Sequence, residues 1–208
     1  MVSGFTDIYD HRTPENLELQ RQLKLVFGND IPERLLKIDG LETAWNKMIS
    51  LRNEWIKVNQ YPFGFAGNAR QESRDSLTYI SNIISRKYFN HYRDIRDTLY
   101  QKESVEKISG VDFSAIKEFL LSPLHSLAKD SQDMDDAGGE WARKASPQPE
   151  IPPPITQIKK AQQLMQNINE LRKDLGVEKT KPFISALPLS KEEQERFRGQ
   201  RGFSPRAY

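Results

Sequence analysis

The chain has 208 residues, 37% hydrophobic and 29% charged, with 12 prolines and a formal charge of +2. That near-neutral total excludes coating nucleic acid through bulk charge, so any such binding needs a local, oriented basic patch. The absence of cysteine excludes a disulfide framework, a thiol nucleophile and a thiolate metal site. No run approaches the ~18 apolar residues of a membrane span, and the opening MVSGFTDIYD lacks a leader pattern, so the chain reads as soluble and unprocessed.

Residues 1–38 read as an N-terminal arm with one short helical pattern, PENLELQRQLKLVFG, in which Leu17, Leu23 and Phe27 share a face before Gly28. The core signal begins at Asp39, expected as an N-cap, after which Leu41, Ala44, Trp45, Met48, Leu51, Trp55 and Val58 recur at steps of three and four. A turn, NQYPFGF, separates this helix from a second. There Leu77, Ile80, Ile84, Tyr88, His91, Ile95 and Leu99 keep the same spacing, with a break expected near Phe89–Tyr92.

A third helix, DFSAIKEFLLSPLHSLA, has Asp112 as its cap, a stripe of Phe113, Ile116, Leu120, Leu124 and Leu127, and a kink expected at Pro123. Residues 129–155 lose periodicity and gather acids, glycines and prolines, the pattern of a long loop. A fourth helix is expected from Thr156, with Ile158, Ala161, Met165, Ile168, Leu171 and Leu175 in its stripe and Gly176 as its stop; 176–208 read as a C-terminal tail. With no strand alternation, the expectation is an all-α fold: a four-helix bundle core over 39–175 with N- and C-terminal extensions.

Catalytic chemistry finds little footing. His11, His91 and His125 stand in different contexts without metal-ligand spacing, and no phosphate loop or nucleophile elbow is present. The run DMDDAGGE lacks the glycine and glutamate positions of a calcium loop. A non-enzyme with no metal or cofactor is therefore expected.

Anion-binding chemistry is better supplied. In FAGNARQESRDSL, Arg70 and Arg74 sit in the first turns of the second helix, where free N–H groups and the helix dipole favour phosphate, after Gly64 and Gly67, which let a backbone come close. Gln157, Lys159 and Lys160 repeat that pattern at the start of the fourth helix. The tail adds Arg196, Arg198, Arg201 and Arg206 interleaved with Phe197 and Phe203, a composition suited to single-stranded RNA.

The order of these features, AWNKMISL followed by an aromatic-glycine turn and NARQESRDSL, resembles the first two core helices of the coat proteins of rod-shaped plant RNA viruses, the tobamovirus-like group. AWNK is similar to the hordeivirus branch, and length and lack of cysteine to the pecluvirus branch. The chain departs from that family's pattern after the last helix, where it reads GVEKTKPFISALPL, and at the start of the fourth, where ITQIKK replaces an acidic pair. The resemblance implies a coat protein that assembles helically as a homo-oligomer around single-stranded RNA, in the virion and the host cytoplasm, with Arg70 facing RNA. It also implies that 129–155 lie at low radius, where Asp133, Asp135, Asp136 and Glu140 of adjacent subunits crowd and act as inter-subunit carboxylates. The alternative is a helical adaptor that binds protein partners through its tails and the proline run Pro152–Pro154.

Overall fold

The computed structural model describes residues 4–106, 108–136 and 151–177, and every regular element among them is helical. The elements are α1 (Asp7–Asp10), α2 (Pro14–Phe27), α3 (Ile31–Val58), α4 (Ala69–Gln101), a π-helical turn (Lys102–Glu106), α5 (Phe113–Asp136) and α6 (Pro154–Asp174). The all-α expectation holds, and no helix among the described residues is long and apolar enough to cross a membrane.

The longest continuous stripe belongs to α3. Its buried residues recur at intervals of ten: Ile31, Leu41 and Leu51; Leu35, Trp45 and Trp55; Ile38, Met48 and Val58. Three turns of an α-helix need about 10.8 residues, so a ten-residue repeat drifts by about 80° per interval and winds left-handed around the axis. Successive thirds of α3 therefore face different partners. Its first third meets α2 and the end of α4, where Arg34 pairs with Asp94 and lies over the Phe27 ring at 5.5 Å. Its last third meets the start of α4 and the body of α6.

This winding corrects two expectations. Residues 1–38 are not a peripheral arm: Phe5, Ile8, Leu23, Val26, Phe27, Ile31, Leu35 and Ile38 are all buried, and each such side chain contributes about 1.5–3 kcal/mol through burial. Asp39 does not start a helix either. It lies within α3, and its carboxylate accepts from the backbone N–H groups of Phe5 (2.7 Å) and Thr6 (2.8 Å) and from the Thr6 hydroxyl (2.5 Å). It thus caps the turn that opens α1, 33 residues away. A side chain at Gly4 would place its Cβ 2.9 Å from this carboxylate, which would have to shift to accommodate it.

The second helix runs unbroken through Phe89–Tyr92, because that segment keeps a regular buried line of Ile84, Tyr88, Ile95 and Leu99. Asp112 caps α5 as expected, accepting from Ala115 N–H at 3.1 Å. Pro123 does not end it; α5 continues to Asp136, so the connection expected from 129 begins later. Asp133, Asp135 and Asp136 consequently belong to the last turns of a helix, whereas Glu140 and the arginine-rich tail lie outside the described residues. At its other end that connection closes at Pro154, the first residue of α6, a position where proline's missing N–H costs nothing.

Paired contacts give the directions. Lys117 meets Glu103 at 2.5 Å and the His125 ring lies tilted against Tyr92 at 5.3 Å, so α5 is antiparallel to α4. Lys47 meets Asp174 at 3.2 Å while Lys160 lies over the Tyr61 ring at 5.8 Å, so α6 is antiparallel to α3. The C-terminus of α3 and the N-termini of α4 and α6 therefore share one end of the molecule.

Replacing Asp39 with alanine is expected to cost about 1–3 kcal/mol, since it orphans two partly buried N–H donors. Amide hydrogen exchange should show residues 5–10 losing protection before the rest of the fold does.

Candidate nucleic-acid interface

Two buried polar side chains shape the shared end. The indole N–H of Trp55, near the end of α3, donates to Ser73 Oγ at 2.8 Å, and that hydroxyl donates to the Arg70 carbonyl at 2.9 Å. Ser73 is fully buried and Trp55 is 2% exposed, with Phe65 from the connecting turn tilted against the indole at 6.2 Å. Burial at this site makes each bond costly to lose, so the first turn of α4 is fixed relative to α3. Trp45 is buried as well, and both tryptophans take the core role expected of them.

At that fixed turn, α4 begins without a side-chain cap. Ala69 N–H and Glu72 N–H bond back to Ala66 and Asn68, while the N–H groups of Arg70 and Gln71 find no partner among the described residues. The Arg70 side chain is exposed and makes no ion pair among the described residues. Arg74, one turn on, lies 3.4 Å from Asp75 in a half-exposed pair, which is worth little in water. An uncapped helix start with one unneutralised guanidinium is a place for a phosphate. Of the glycines before it, Gly67 is exposed at φ +53°, whereas Gly64 is buried, and a Cβ there would lie 2.7 Å from the Val58 carbonyl. It closes the turn rather than admitting a ligand.

The other expected cluster divides. Gln157 is 2% exposed and joins the start of α6 to the α3–α4 turn: its Oε1 accepts from Phe63 N–H at 3.0 Å and its Nε2 donates to the Pro152 carbonyl at 2.6 Å. Both ends of the amide are used, so Gln157 is a buried clamp and not an RNA-facing donor. Lys159 and Lys160 are exposed. Lys160 joins Ser50, Asn53, Glu54, Lys57, Val58 and Tyr61 around a pocket of about 480 Å³ between α3 and α6.

That pocket is separate from Arg70. Lys57 follows Trp55 by two residues, about 200° around the helix, and Trp55 faces α4. The pocket therefore opens on the side of α3 turned away from α4, and Arg70 and Arg74 do not share a concave site with Lys160. Lys57, Asn53 and Ser50 were not singled out from the sequence, because only the approach of α6 makes them neighbours.

The histidines remain apart. His11 is exposed after α1, His125 lies tilted against the Tyr92 ring, and His91 is half-buried on α4. Burial, with Arg34 adding to it, holds His91 below its ordinary value of 6.5. No group of three or more potential metal-ligating side chains forms among the described residues.

Ser73→Ala breaks the link between Trp55 and Arg70 while leaving the apolar stripe intact. The expected result is a loss of about 1–2 kcal/mol in denaturant unfolding, with a greater rise in hydrogen exchange at residues 70–74 than in the body of α4.

No family model, curated protein or solved structure matches this chain.

Proposed function

We propose that this protein is a coat protein that polymerises helically around single-stranded RNA, with α3–α6 forming a four-helix bundle and Arg70 as its principal phosphate contact. The observation that carries this reading is the uncapped start of α4, where an exposed Arg70 and two backbone N–H groups, all without partners among the described residues, stand on a turn anchored through Ser73. A repeated subunit needs only a few such contacts, because the polymer multiplies them along the RNA. A net charge of +2 per chain fits that division of labour.

Exposed apolar residues support self-assembly. Phe63, Ile151, Ile155 and Ile158 are exposed at the end that carries the α4 and α6 starts; Leu17, Leu25 and Leu36 are exposed on α2 and the first turns of α3, at the opposite end. Two different sticky ends make a heterologous, head-to-tail contact, the kind that generates open helical polymers. The adaptor reading loses its motif, since Pro154 is the first residue of α6 and the Pro152 carbonyl is held by Gln157. A proline run so engaged is not a free polyproline ligand.

Arg70→Ala is expected to weaken RNA binding by the full chain and to lower the slope of log affinity against log salt by about 0.7, one phosphate contact on a single strand. Thermal unfolding should stay within about 0.5 kcal/mol of the parent, as for other exposed substitutions. Unchanged affinity and slope would remove Arg70 from the interface.

A further inference from the structure

We propose a second RNA-binding surface on the solvent face of α4: a stripe of Arg86, Phe89, Asn90 and Arg93 that stacks a base on Phe89 between two phosphate-binding arginines. The proposal rests on the RNA reading for its ligand and goes beyond it in placing a contact far from the helix start.

The first support is charge. From Arg86 to Arg93 the sequence RKYFNHYR contains no acid. Several exposed cations on other helices have a local acid, as in Arg21 with Glu18, Lys37 with Glu33 and Lys102 with Glu106. The nearest acids along α4 are already engaged, Asp94 with Arg34 and Asp97 with Arg96. Arg86 and Lys87 make no ion pair among the described residues, and the Arg93 guanidinium reaches only Asn90 Oδ1, at 3.5 Å. The segment is thus an acid-free run whose arginines keep their charge available among the described residues.

The second support is geometry. Positions 86, 89, 90 and 93 stand at i, i+3, i+4 and i+7, so they share one face. That face is opposite the buried line of Ile84, Tyr88, Ile95 and Leu99. The two arginines lie about 10 Å apart along the axis, and Phe89 stands between them, 47% exposed. A single exposed phenylalanine is ordinary. One bracketed by two unneutralised guanidiniums, with an amide beside it, has the parts of a single-strand platform: a ring for the base, forks for the flanking phosphates and donors for a base edge. The same parts fit a lipid surface less well, since only one apolar side chain is presented between the charges.

The test is fluorescence anisotropy of the full chain with a labelled single-stranded RNA oligonucleotide, over a salt series, for the parent, Arg86→Ser/Arg93→Ser, Phe89→Leu and Arg70→Ala. The expected result for the double variant is about tenfold weaker binding and a salt slope smaller by about 1.4, two single-strand phosphate contacts. Phe89→Leu should weaken binding about fivefold with the slope unchanged, because stacking releases no counterions. If the double variant and Phe89→Leu match the parent while Arg70→Ala is impaired, the stripe is refuted and the RNA reading stands. If the parent binds no RNA at low salt, both are refuted. Circular dichroism of the variants should match the parent, since every substituted side chain is exposed.

Discussion

One buried hydrogen-bonded path, from the Trp55 indole through Ser73 Oγ to the Arg70 carbonyl, sets the geometry on which the functional reading depends. Apolar packing alone leaves two long helices some freedom to slide, because one methyl-lined groove resembles the next. A donor and acceptor pair buried at the contact removes that freedom, since a shifted register would strand both groups without partners. The path ends on Arg70, whose side chain is exposed. Gln157 does the corresponding work for α6, fastening its first turn to the α3–α4 connection. The end of the molecule that gathers three helix termini is therefore its most closely specified part.

The winding stripe of α3 explains how so few elements make one core. A stripe that stayed on one face would serve one pair of neighbours, whereas this one turns by about half a circumference over the helix. It gathers α1 and α2 at one end and α6 at the other, so the N-terminal residues become structural. The Asp39 carboxylate completes this by capping α1 from the middle of α3. The cost is a charged group among its neighbours: burial and Asp39 together raise the Glu42 carboxyl above its ordinary value. Tyr88, buried close by, leaves its hydroxyl without a partner among the described residues.

Much of this was legible in the sequence. The stripes of α3 and α4 follow from residue spacing, and the location of Arg70 at a helix start follows from the turn before it; in α6 the buried line is Gln157, Ala161, Leu164, Ile168 and Leu171, and Ile158, expected in the stripe, is exposed. Asp39 misled because an aspartate before an apolar run looks the same whether it caps its own helix or a distant one; the earlier Ile31, Leu35 and Ile38, on the same repeat, were the signal that the helix had already begun. Gln157 misled for a related reason. Its side chain suits solvent and core equally, yet its spacing from Ala161, Leu164, Ile168 and Leu171 placed it on the buried line. The extension of α5 from Ala128 to Asp136 was hidden because the apolar stripe stops at Leu127 and polar and acidic residues follow. The pocket around Lys57 and Lys160 needed the approach of two helices, which no local pattern encodes.

The measurement that tests the account most directly is negative-stain electron microscopy of the purified protein mixed with single-stranded RNA, followed by nuclease digestion and extraction of what survives. The account predicts uniform rods that contain protected RNA, and their shortening or loss in Arg70→Ala. Small particles only, across pH and salt and with the RNA fully digested, would contradict it.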